Sequence, residues 1–147
     1  MRRSILTVCT GNICRSPVTE AALRQRCPDL AIGSAGLHAL AGRDIDPDSA
    51  RAARAFEIAL APHTARQFDE GMGRDADMII VMEAHHREEI MRRWPHLLAR
   101  TFLLGQFEQG KEIPDPYKRG HAQHLRMVEL VLESVEHWAV QLARLNS

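Results

Sequence analysis

Residues 4–17 read SILTVCTGNICRSP, and the topology of the rest of the chain can be read outward from them. Ser4 to Val8 is short, apolar and β-branched, as a buried strand requires. Ser16-Pro17 marks a helix start, because a serine hydroxyl can cap a first turn and proline fits where no backbone N–H is needed. Between them, Thr10, Gly11, Asn12, Ile13 and Cys14, continuing through Arg15 to Ser16, can wrap their N–H groups inward as an anion-binding nest. Gly11 is expected to supply the permissive φ. The following helix points its positive end at the same spot. Arg15 adds a planar fork that grips two oxygens of a phosphate. Oriented dipoles and a fixed positive charge favour the thiolate form of a cysteine, and Cys9 stands at their focus. A lone cysteine after a strand is more often a small buried hydrophobe, and C-x5-R spacing alone is a weak signal. Joined to the strand, the glycine and Ser16-Pro17, it points to attack on phosphorus through a cysteinyl-phosphate intermediate, with no metal required.

The strand–helix alternation continues. Leu30 to Ala35 reads as a second strand ended by Gly36, and residues 37–47 as a loop. A helix is expected from Pro47 or Asp48 to Ile58, and Asp77 to Met82 contains the unbroken strand run Met78-Ile79-Ile80-Val81. Glu83 to Trp94 is a charged amphipathic helix stopped by Pro95; Arg100 to Leu104 is a fourth strand; Gln106 to Gly120 is a long loop. His121 to Leu145 places apolar residues at 125, 128, 131, 132, 135, 138, 139 and 142, one face of a helix. The pattern predicts a single α/β domain over residues 1–147, a four-stranded parallel sheet flanked by helices. The phosphate-binding loop after the first strand then lies at the sheet's carboxyl edge, where open α/β sheets bind ligands.

Composition narrows the function class. A chain of 147 residues buries about 70% of its unfolded surface and needs no staple. Nineteen basic side chains balance nineteen acidic ones, so no global field selects nucleic acid or an anionic membrane, and any preference for an anion is local. No apolar run approaches the ~20 residues of a membrane span, and the apolar core after Arg3 is too short for a signal peptide. Three cysteines, all before residue 28, fit a reducing cytoplasm. Cys9 and Cys14 with Cys27 offer no second ligand pair at zinc spacing, so neither metal nor cofactor is expected. No G-x4-G-K-[ST] nucleotide loop occurs.

Cys9 to Pro17 resembles the signature loop of the low-molecular-weight protein tyrosine phosphatases, and the similarity extends through Ser34-Ala35-Gly36, His63-Thr-Ala-Arg66, Asp77 to Met82 and Ile113-Pro-Asp-Pro-Tyr117. Within that family it is most similar to bacterial members that act on tyrosine autokinases of polysaccharide export. The resemblance implies an enzyme, a cytoplasmic protein-tyrosine-phosphatase taking a tyrosine-phosphorylated protein such as an autokinase, and a monomer is expected. It implies Cys9 as nucleophile, Arg15 as phosphate clamp and Asp115 as general acid, with Asn12 holding the loop in shape and Ser16 donating to the thiolate. Chemistry favours the third role independently: a tyrosine leaves as a phenolate of pKa near 10, so protonating its oxygen is worth ~10²–10⁴-fold. Asp115 between two prolines also fits an ordinary turn. Tyr117 is either a wall for the substrate ring or a partly buried loop aromatic, and Leu40 is a second wall by resemblance only. Cys14 is either a redox partner that guards Cys9 through a transient disulfide or a buried loop filler. His63 and Arg66 are expected to tie a loop to the core, and His85-His86 to be solvated. Two competing functions remain: an arsenate reductase on a similar loop, against which the lack of any cysteine after Cys27 counts, and a catalytically silent phosphate-binding adaptor.

Overall fold

Strands covered by helices on both faces are mostly apolar on both. In the computed structural model, which describes residues 3–145, the four strands are β1 (Ser4–Cys9), β2 (Ala31–Gly36), β3 (Met78–Val81) and β4 (Thr101–Leu103). β3 is wholly apolar, while β1, β2 and β4 each bury a Ser or Thr as well. They form one parallel sheet in the order β2-β1-β3-β4. Of the expected domain, residues 1, 2, 146 and 147 lie outside the described residues. Alternation divides the core: Ile5, Cys9 and Ile80 join one buried cluster, Leu6, Val8, Ile79 and Val81 the other. The first face is covered by α1 (Arg15–Arg26), α2 (Pro47–Ala55) and α5 (His121–Leu145). On α5, Met127, Val128, Val131, Val135, Trp138 and Leu142 are buried at helical spacing, each contributing about 1.5–3 kcal/mol. The second face receives α3 (Glu70–Asp75) and α4 (Ala84–Arg93), with Phe68 and Trp94 in contact at 5.0 Å.

β1 is followed on one side by β2 and on the other by β3, so the chain changes direction across the sheet beside the end of β1. Such a switch point opens a crevice at the carboxyl edge. The loop 10–14 fills it.

Several boundaries differ from the expectation, each for a local reason. The helix after residue 46 stops at Ala55 rather than Ile58, because Glu57 turns left-handed (φ 61°) and Glu57 and Ile58 return their N–H groups to Arg54 and Ala53. That is a Schellman ending made without glycine, so nothing in the composition announces it. The helix Glu70–Asp75 carries two glycines and no apolar period; Asp69 caps it by accepting from Met72 N–H at 2.8 Å. Pro95–Arg100 and Gln106–Glu108 are 3₁₀ turns, the second interrupting the expected long loop.

Candidate active site

The loop from Cys9 to Arg15 is held by its carbonyls. Those of Cys9, Thr10 and Gly11 accept from Leu37, His38 and Leu40 N–H at 2.9, 3.0 and 3.0 Å. The Ile13 carbonyl accepts from Asp46 N–H at 2.8 Å, and the Asn12 carbonyl from His63 Nε2–H at 2.7 Å. In a trans peptide the N–H points opposite its C=O, so turning five successive carbonyls outward turns the amides of Thr10 to Cys14 inward. The loop is therefore an anion nest at the positive end of α1. Gly36 lets β2 come close behind it: a Cβ there would lie 2.5 Å from the Thr10 carbonyl oxygen.

The conformational strain falls on Asn12, not Gly11. Asn12 has φ 60°, whereas Gly11 is not among the residues with positive φ. Asparagine tolerates that region, and here its side chain is fixed as well. Nδ2 donates to Ser16 Oγ (2.8 Å) and Ser34 Oγ (3.0 Å), while Oδ1 accepts from Arg66 N–H (3.0 Å). Ser16 is not the cap that its sequence position predicts. The helix begins two residues earlier than such a cap would set it, at Arg15, and has no side-chain cap at its start. A capping hydroxyl would occupy amides that an anion needs; Ser16 Oγ lies instead 3.0 Å from Cys9 Sγ. Having accepted from Asn12, it has its own hydrogen to give to the sulfur. Cys9 is buried at the floor of the cleft.

Arg15 is 2% exposed, so its charge needs partners. Glu83, the residue before α4, pairs with Nη1, and the Ile113 carbonyl accepts from the same nitrogen at 2.8 Å. Ile113 in turn donates to the Met82 carbonyl at 3.0 Å, which docks the 113–117 segment on the end of β3. That brings Asp115 Oδ2 to 3.9 Å from Arg15 Nη2, while Oδ1 accepts from Tyr117 N–H at 3.1 Å. Glu83 is the largest omission of the sequence reading. Its signal was present, an acid directly after the Met78–Met82 run and so at the sheet's carboxyl edge.

His85-His86 corrects a second expectation. His85 is exposed, but His86 is buried and 2.9 Å from Thr10 Oγ1. Its Nδ1 accepts from Glu83 N–H (3.1 Å), so Nε2 carries the hydrogen and donates to Thr10. Burial, then the Arg15 charge, lowers its pKa from 6.5 to about 3. Folding thus disfavours the imidazolium, which the unfolded chain forms on passing below its ordinary value. The stability this group contributes is full above pH 6.5 and falls on acidification toward pH 3, by about 1.4 kcal/mol per pH unit. Thermal melts from pH 7 to pH 4 should lose stability more steeply for the parent than for His86→Gln. Parallel curves would show that His86 titrates normally in the folded protein.

Cys9, Thr10, Gly11, Ile13, Cys14, Arg15, His38, Leu40, Asp115 and Tyr117 line one cleft of about 210 Å³. A cavity of roughly 150 Å³ takes benzene, so the space suits an aryl ring. A larger depression of about 700 Å³ lies at the opposite edge, beside Ser4, Ala31 and Asp75, and no thiol or histidine lines it. His63 and Arg66 serve the loop, as expected: besides the bonds to Asn12, Arg66 Nε donates to the Ser34 carbonyl at 2.8 Å. Cys14 is buried, and burial above all raises its thiol pKa to about 12, with a hydrogen bond from Ser49 opposing. The expectation that no metal ligands gather considered only the cysteines. Among the described residues Cys14 meets Asp46 and His124, and Glu83 meets His85 and His86. The second group is spent, its Glu83 on Arg15 and its His86 on Thr10.

Comparison with known proteins places the fold and the family. Etp of Escherichia coli K12, a low molecular weight protein-tyrosine-phosphatase, is 37% identical over 141 residues, 96% of this chain and 95% of its own. The tyrosine phosphatase Wzb from Escherichia coli K30, solved in complex with sulphate, superposes with a TM-score of 0.93 at 37% identity, covering 97% of this chain and 99% of its own. The YwlE arginine phosphatase from Geobacillus stearothermophilus has the same fold at 28% identity (TM-score 0.89, covering 97% of this chain and 94% of its own). The family model for low molecular weight phosphotyrosine protein phosphatases matches residues 4–147, and the chain belongs to that family.

Proposed function

We propose that this chain is a protein-tyrosine-phosphatase that hydrolyses phosphotyrosine through a cysteinyl-phosphate intermediate. One observation carries the reading: a buried thiol, a buried guanidinium and a half-exposed carboxylate converge on a single cleft with apolar walls at Ile13, Leu40 and Tyr117. Inward amides and Arg15 hold the phosphoryl oxygens. Cys9 Sγ attacks phosphorus, the bond to the tyrosyl oxygen breaks, and Asp115 gives that oxygen its proton. Water then attacks the cysteinyl phosphate, Asp115 takes a proton from it, and phosphate leaves with the thiolate restored. No step asks for a metal. Cys14 as the second sulfur of a reversible disulfide belongs to the same reading; recovery of peroxide-treated enzyme by dithiothreitol, lost in Cys14→Ser, is its readout.

The cleft has room for a ring displayed by another protein, which supports a tyrosine-phosphorylated protein as substrate. Within that class we propose a tyrosine autokinase of polysaccharide export. No helix among the described residues is long and apolar enough to cross a membrane. A cytoplasmic monomer is part of the proposal.

Phosphoarginine is the relevant competitor, given the YwlE likeness. Its guanidinium calls for carboxylates, and Asp115 is the single one lining the cleft. Initial rates in EDTA on phosphotyrosine, phosphoarginine and an alkyl phosphate, with arsenate reduction run beside them, separate the readings. Phosphotyrosine should be turned over with kcat/KM at least ~10²-fold above the others, and arsenate should not be reduced. Preference for phosphoarginine, arsenate reduction, or no turnover at all would each replace this reading.

A further inference from the structure

His124 on α5 is fully buried, and its Nε2 has no hydrogen-bond partner among the described residues. Its other nitrogen is committed: Nδ1 lies 2.7 Å from Ser49 Oγ. In the tautomer whose Nδ1–H donates to Ser49 Oγ, Nε2 presents a bare lone pair with no partner. A ring nitrogen of His124, Cys14 Sγ and an Asp46 carboxylate oxygen all lie within 4.8 Å of one another, and Nε2 is 4.0 Å from Asp46 Oδ1.

We propose that Cys14, Asp46 and His124 form a binding site for a transition-metal dication of the zinc type at the phosphate loop, where Cys14 also lines the cleft and an ion on its sulfur would compete with a Cys9–Cys14 disulfide. Thiolate, carboxylate and imidazole are the ligand types zinc prefers, and tetrahedral bonds of ordinary length place such donors about 3.4–3.6 Å apart. Nε2 and Asp46 Oδ1 close from 4.0 Å and the other pairs from within 4.8 Å, so side-chain shifts of up to about 1 Å bring the three donors to bonding geometry. The supporting bonds are those a metal ligand set needs. Ser49 holds the ring of His124, and Asp46 is aimed by accepting from Asp48 N–H (3.0 Å) and Ser49 N–H (3.4 Å) at the start of α2. Two anionic ligands neutralise the ion, as burial demands, and the thiol proton leaves to solvent on ligation. Asp46 keeps 14% of its side chain exposed, an entry path and a place for water as fourth ligand. An ion here ties the phosphate loop to α2 and α5 at once. The hydrolysis proposed above does not pass through it, so the two proposals fail separately.

The test is an optical titration of the full chain with Co²⁺ standing in for Zn²⁺, because a thiolate ligand gives Co²⁺ an intense near-ultraviolet charge-transfer band. The parent, Cys9→Ser and Cys27→Ser should each take up one ion per chain with that band, and Zn²⁺ should abolish it stoichiometrically. Cys14→Ser should lose the band, and His124→Phe should weaken binding at least ~10-fold while keeping the parent's circular dichroism. If His124→Phe does not fold, His124→Gln takes its place with the same expectation. A band that survives Cys14→Ser or follows Cys9 or Cys27 would overturn the site. So would unchanged affinity in the His124 variant, or no band in the parent, the last pointing to a buried water as the partner of Nε2.

Discussion

Cys9→Ser should reduce turnover of an aryl phosphate by roughly 10⁴–10⁶-fold, the range seen when a covalent nucleophile is removed, while inorganic phosphate still binds. The two halves rest on different atoms. Nucleophilicity at neutral pH belongs to the thiolate, and a serine hydroxyl in the same place has no comparable anion to offer. Ser16 Oγ, 3.0 Å from the sulfur, is a neutral hydroxyl that already accepts from Asn12 and is too weak a base to activate a serine in its place. Anion binding rests instead on the inward amides, whose orientation is set by five outward carbonyl bonds, none of which involves the sulfur. The serine hydroxyl also finds a ready partner in Ser16, so the buried site accepts it without an orphaned polar atom. Steady-state assays with calorimetric phosphate titration decide the matter. Hydrolysis within about a hundredfold of the parent in a clean preparation would show that another group attacks phosphorus. Loss of phosphate binding with activity would show that the sulfur shapes the loop itself.

What was legible in the sequence was what is local. Strand, loop and first helix are contiguous, so residues 4–17 already held the strand, the loop and the Cys9 and Arg15 that the loop brings together. The sheet was legible because strands buried on both faces are mostly apolar, and Met78–Val81 is wholly so. What failed needed tertiary knowledge. Glu83 reaches Arg15 across 68 residues, and no periodicity reports such a pairing. His86 sits in a helix whose neighbours are charged, so it read as solvated; in the fold it is buried and hydrogen-bonds Thr10 of the loop, far away in sequence. Glycine drew the permissive φ to Gly11 by rule, whereas the bonds that hold a left-handed residue, from Ser16, Ser34 and Arg66, were placed around Asn12. The trio of Cys14, Asp46 and His124 comes from three elements and has no spacing to recognise.

Asp115→Asn should produce damage that depends on the leaving group, and that dependence identifies a general acid more surely than the loss itself. In the parent, Asp115 Oδ1 is engaged by Tyr117 N–H, and Oδ2 faces the cleft 3.9 Å from Arg15 Nη2. Asparagine can keep the first bond through its carbonyl oxygen, so the segment should stay docked by Ile113 while the proton is removed. Phosphotyrosine and phenyl phosphate expel basic oxyanions of pKa near 10, and their phosphorylation step should slow by ~10²–10⁴-fold. An aryl phosphate carrying strongly electron-withdrawing groups departs readily unprotonated, so its burst of phenol release should fall much less. Its steady state can still be slow, because water attack on the cysteinyl phosphate needs the same carboxylate as a base. Single-turnover rates across a series of leaving groups separate these steps. The variant should show a steep dependence on leaving-group pKa and the parent a shallow one, the lines meeting at the acidic phenols. Equal slopes would take the proton away from Asp115, and the segment from Ile113 to Tyr117 would then be a wall of the cleft and an anchor for Arg15, with the leaving oxygen protonated from solvent.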